Sequence, residues 1–66
     1  MKYALVEKNT NIVNNIIIWD GIGGIINLEV YTPILLNENE DCAVGYVYDL
    51  NLLPRFFAID FFSIAF

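Results

Sequence analysis

Ile12-Val13-Asn14-Asn15-Ile16-Ile17-Ile18-Trp19 is the stretch on which the fold turns. Six of its eight residues are Ile, Val or Trp. Such side chains are stiff at χ1 and pack well on a pleated surface, so the run predicts a β-strand. Strict alternation puts Ile12, Asn14, Ile16 and Ile18 on one face and Val13, Asn15, Ile17 and Trp19 on the other. Both faces become apolar toward Trp19, which predicts burial on both sides at that end. Upstream, Lys2-Tyr3-Ala4-Leu5-Val6-Glu7 suits a second strand. Lys8-Asn9-Thr10-Asn11 between the two is a polar turn whose asparagines tolerate left-handed backbone. The chain therefore opens with a hairpin.

Downstream, Asp20-Gly21 ends the strand and Gly23-Gly24 marks a turn or bulge. Leu28 to Leu36 is expected to be extended, with Pro33 removing a donor and pointing to an edge position or a break. Asn37-Glu38-Asn39-Glu40-Asp41 is an acidic loop, and Cys42 to Tyr48 returns to β character. There Cys42, Val44, Tyr46 and Tyr48 share one face, and Ala43, Gly45 and Val47 form a small second face. Residues 55–66 contain five phenylalanines and read as a strand, with a short helix as the other option. The fold class expected is all-β: a small antiparallel sheet of four to five strands in one domain, with 55–66 as an apolar interaction tail.

The composition limits what such a domain does. Three basic residues, Lys2, Lys8 and Arg55, face eight acidic ones, for a net charge of −5. Nucleic-acid binding needs clustered Lys or Arg, and anionic membranes attract the same residues, so neither partner is expected. Cys42 is the only cysteine and there is no histidine. Intrachain disulfides and a structural zinc site are thereby excluded, and synthesis in a reducing, intracellular compartment is the natural reading. No stretch resembles a signal peptide, and Phe56 to Phe66 is too short to span a bilayer as a helix.

Catalysis fails for want of parts. Without histidine there is no general base poised near neutrality, and Ser63 and Cys42 lack a partner base. Asp20-Gly21-Ile22-Gly23-Gly24 has phosphate-loop composition, but no helix cap follows it, so a turn is expected. Glu38, Glu40 and Asp41 offer oxygen ligands to Ca²⁺, yet the loop lacks the glycine and closing glutamate of an EF-hand and reads as solvated surface. No enzyme activity, metal or cofactor is expected.

What remains is association. The hydrophobic fraction of 58% exceeds the 45–50% usual for soluble domains, and a chain this short has little interior to receive it. The candidate partner-facing residues are Trp19, Tyr46, Tyr48, Phe56, Phe57, Phe61, Phe62 and Phe66, aromatics of the kind enriched at interfaces. Trp19, Tyr3, Tyr31, Tyr46 and Tyr48 also allow carbohydrate contact as a minor option.

Two stretches carry a resemblance. Met1-Lys2-Tyr3-Ala4-Leu5-Val6 followed by Asn11-Ile12-Val13-Asn14-Asn15-Ile16-Ile17-Ile18-Trp19-Asp20-Gly21 resembles the opening of small tail- and tail-fibre-associated structural proteins of tailed bacteriophages and prophages. Cys42-Ala43-Val44-Gly45-Tyr46-Val47-Tyr48-Asp49 is similar to a later strand of theirs, with Tyr46 where Trp is usual. The likeness covers roughly residues 1–49. Ile22 to Tyr31 replaces a proline-rich turn, and Leu50 replaces a glycine. The resemblance implies a virion protein made in the host bacterial cytoplasm, an adaptor or decoration subunit bound to other virion proteins or to copies of itself. A tail-fibre assembly chaperone is the nearest alternative, and a small membrane-active or toxin-like peptide is another.

Overall fold

Three strands pair around the first. In the computed structural model, which describes residues 1–59, β1 (Lys2–Glu7) lies between β2 (Val13–Ile18) and β3 (Tyr31–Leu35) in an antiparallel sheet of order β2-β1-β3. A second, two-stranded antiparallel sheet joins β4 (Val47–Tyr48) to β5 (Phe56–Phe57). No helix is present among the described residues, and the fold is all-β. The hairpin turn forms where expected. Asn11 takes φ 59, in the left-handed region an asparagine accepts, and its N–H donates to the Glu7 carbonyl at 2.8 Å.

One register shift decides which side chains meet. Ala4 pairs with Ile16 and Leu5 with Asn15, but Val6 pairs with Val13. Asn14 is thus an extra residue in β2, a β-bulge. Simple alternation had placed Val13 and Ile16 on opposite faces. The bulge corrects this: Val13 and Ile16 pack in one cluster with Ala4 and Val6, while Asn14 and Asn15 are both exposed. Without the extra residue, Asn14 would lie opposite Val6 on the buried face and lose its water.

The core is small. Ala4, Val6, Val13 and Phe56 form its buried centre, and Ile16, Ile34, Leu36, Cys42, Tyr46 and Tyr48 pack against it. Phe56 is 2% exposed and is the largest side chain fully enclosed. Its ring lies 5.0 Å from that of Tyr48, and the Arg55 guanidinium carbon sits 5.4 Å from its centroid. The second sheet is fastened to the edge of the first. Val13 N–H donates to Tyr46 O at 2.8 Å, Gly45 N–H to Val13 O at 2.9 Å, and Tyr48 N–H to Asn11 O at 2.8 Å.

Other expectations need adjustment. Extension begins at Tyr31, not Leu28, because Asn27 turns the chain: its carbonyl accepts from Val30 and Tyr31, and its side chain from Glu29 N–H. Of Cys42 to Tyr48, only Val47 and Tyr48 form a strand, since Gly45, at φ +93, sits in a turn closed by Tyr46 N–H onto Ala43 O. Val44 consequently points into solvent, while Cys42, Tyr46 and Tyr48 keep the expected inward face. The β2 end is not buried on both sides either, because Ile18 is 75% exposed. The expectation of strand or helix beyond Ile59 lies outside the described residues.

Candidate protein-interaction surface

The two faces of the main sheet differ in cover. One carries the core and the second sheet. The other, by register, presents Tyr3, Leu5, Ile17, Trp19 and Pro33. The segment after β2 folds back over part of it. Tyr3 and Trp19 meet edge to face with ring centroids 5.1 Å apart. Gly21, at φ +85, passes so close that a Cβ there would lie 3.0 Å from the Tyr3 hydroxyl oxygen. Only glycine meets both demands without strain.

Asp20 shapes this return. Its Oδ1 accepts from the backbone N–H groups of Ile22 at 2.9 Å and Gly23 at 3.2 Å, an Asx turn. Those donors hold its carboxyl below the usual carboxylate range. The Asp-Gly-x-Gly-Gly stretch thus spends its amide donors on its own aspartate. Trp19 adds a polar feature: its indole N–H is buried and has no acceptor among the described residues.

Around this turn the surface is aliphatic. Ile22 is 87% exposed and Ile25 76%, and Met1 is also largely exposed. Met1, Ile18, Trp19, Asp20, Gly23 and Ile25 line one shallow concavity at the end of the sheet. A second apolar group, Leu50, Leu52, Leu53 and Pro54, borders the acidic loop, with Leu53 97% exposed. Isolated apolar side chains at the surface are ordinary, whereas contiguous groups mark contact sites.

Beside the second group, Arg55 organises the acidic loop. Its Nε and Nη2 donate to both oxygens of Glu40, the latter at 2.7 Å, and Nη2 also donates to Leu35 O at 2.8 Å. The Arg55 guanidinium holds the Glu40 carboxyl below its usual range against the opposing effect of burial. Glu40 therefore belongs to an ion pair at the protein's seam and is not the freely solvated group the loop composition suggested. Cys42 lies near it, and burial, followed by Glu40 and Asp41, pushes its thiol up, which keeps it protonated and unreactive. Among the described residues no group of three His, Cys, Asp or Glu is placed to hold a metal ion. No helix among them is long and apolar enough to cross a membrane.

Among the described residues, the aromatic side chains expected at a partner contact do not assemble into one patch. Tyr46 and Tyr48 are half-buried against the core, and Phe56 is inside it. Phe57 is half-buried and pairs with Val47. Trp19 borders the aliphatic concavity. Phe61, Phe62 and Phe66 lie outside the described residues. The most exposed large aliphatic side chains include instead Ile18, Ile22, Ile25, Leu50 and Leu53, which sequence reasoning overlooked. A signal was available: Ile22 and Ile25 stand among glycines in turn-forming sequence, where no strand or helix carries them inward. No protein-family model, curated protein or solved structure matches the chain.

Proposed function

We propose that this chain is a non-enzymatic virion structural protein of a tailed phage, a tail- or fibre-associated adaptor or decoration subunit. It acts by burying aliphatic surface against other protein chains. The observation that carries this reading is that exposed Ile18 and Ile25 line one concavity with half-buried Trp19, with exposed Ile22 in the adjoining turn. Water contact with such side chains costs roughly 1.5–3 kcal/mol each relative to full burial, which a protein partner recovers in part. The net charge of −5 disfavours nucleic acid and anionic lipid as the cover. The phage setting rests on the resemblance of the β1, β2 and Cys42–Asp49 stretches to tail-associated proteins. Mass spectrometry of purified phage particles tests the role. The chain is expected among the virion proteins in stoichiometric amount, whereas an assembly chaperone would be present in the infected-cell lysate and missing from the particle.

A further inference from the structure

The two edges of the main sheet are finished differently. Lys2 O accepts from Leu36 N–H, and Val30 O accepts from Lys8 N–H. Even-numbered residues of β1 thus bond to β3, so residues of β3 opposite odd-numbered partners direct their backbone groups outward. Pro33, opposite Leu5, is one of these and has no N–H to offer. Leu35, opposite Tyr3, is the next, and its carbonyl is occupied by Arg55. The β3 edge is closed to further strands by means that sheet proteins commonly use.

The β2 edge is not. Trp19 N–H donates to Met1 O at 2.8 Å, so Asn15, Ile17 and Trp19 face β1 and Ile16 and Ile18 point outward. The segment around Gly45 and Tyr46 covers this edge at Val13 and goes no further. Beyond it, among the described residues, only the Ile16 N–H has a partner, the side chain of adjacent Asn15 at 2.9 Å.

We infer that β2 pairs antiparallel with β2 of a second copy of this chain, about a two-fold axis through Ile17. This rests on the association reading above and names the partner. The register follows from the outward groups: Ile16 of each copy falls opposite Ile18 of the other, and each pair exchanges N–H and C=O bonds once the Ile16 N–H leaves the Asn15 side chain for the Ile18 carbonyl of the other copy. The exposed Ile18 side chain is covered by Ile16 of the other copy. Trp19, with its unpaired indole N–H, comes opposite Asn15. The strand ends at the Asp20–Gly21 turn before it reaches the segment seated on Val13, so the second copy meets no obstruction from Gly45 or Tyr46.

Charge at the edge itself does not oppose this occupant. The chain repels its own copies overall at net charge −5, yet Val13–Ile18 contains no charged residue. Antiparallel pairing places the two Asp20 carboxylates at opposite ends of the ribbon. They lie about 20 Å apart at roughly 3.4 Å per residue, well beyond the ~8 Å screening length of physiological salt.

Sedimentation of the full chain over a concentration series, with amide hydrogen exchange, tests the pairing. The wild type is expected to form a dimer by about 100 µM, with the Ile18 N–H becoming at least tenfold better protected as the dimer forms. Ile18→Pro removes an outward donor and leaves the bonds to β1 in place, so it is expected to keep a β-type circular dichroism spectrum and sediment as a monomer. A wild type that stays monomeric at that concentration overturns the inference, as does a dimer in which Ile18 exchanges freely. A dimer unaffected by Ile18→Pro overturns it too. Particle composition separates this from the role proposed above: a monomer found in the virion defeats the pairing alone, and a β2-paired dimer missing from it defeats the role alone.

Discussion

Arg55 and Glu40 hold parts of the chain that share no strand. The guanidinium reaches the acidic loop, the β3 edge and the face of Phe56 at once, and both side chains are mostly shielded, at 24% and 14% exposure. Glu40→Gln preserves shape and removes the charge, and is expected to lower stability at neutral pH by on the order of 1–2 kcal/mol. The carboxyl is depressed in the folded chain, so its contribution is complete above the unfolded value and disappears as pH falls through the folded one. Urea midpoints should therefore separate wild type from Glu40→Gln at neutral pH and converge as pH falls below the usual carboxylate range, through the depressed value of the folded carboxyl. A constant gap across that range would assign the effect to packing. The loop's acidic composition was legible in the sequence, but the pairing was not, because fifteen residues separate Glu40 from Arg55.

At the scale of elements, the hairpin was readable because β-branched residues and a polar turn agree locally. The faces of β2 were harder. Alternation assumes an unbroken register, and one extra asparagine reverses it between Val13 and Ile16. Nothing in adjacent Asn14 and Asn15 announces which is surplus until Val6 and Ala4 are placed opposite. The second sheet shows a related limit: β4 and β5 each have two residues, and their position depends on bonds to Asn11 and Val13 and on the enclosure of Phe56. A phenylalanine in an apolar segment looks equally suited to a core or an interface until a neighbouring strand encloses it. Phe56→Ala is expected to cost about 3–5 kcal/mol, a large share of the stability of so small a domain. Chemical denaturation should show that loss, with amide protection of Val47 and Tyr48 falling first. Unchanged stability with lost partner binding would instead make Phe56 a contact residue.

For the whole molecule, the decisive quantity is the imbalance between apolar content and interior. Only Ala4, Leu5, Val6, Val13 and Phe56 are buried among the described residues, while large aliphatic side chains from Met1 to Leu53 remain in solvent. Composition announced that imbalance without locating it. Of the expected aromatic contact set, Phe56 is enclosed and Tyr46, Tyr48 and Phe57 are half-buried, while exposed aliphatic side chains stand beside Trp19 and along residues 50–54. Turn-rich sequence explains the difference: Asp20 and Asn27 accept hydrogen bonds from neighbouring amides and leave Ile22, Ile25 and Leu28 without a layer to enter.

The most direct test of that account is carbene footprinting of the free chain and of the chain assembled in phage particles. Labelling at Ile18, Ile22 and Ile25 is predicted to be high in the free protein at concentrations too low for it to pair, and to fall at least fivefold on assembly. Equal labelling in the two states, or shielding confined to other residues, would contradict the claim that this aliphatic surface is where other protein chains bind.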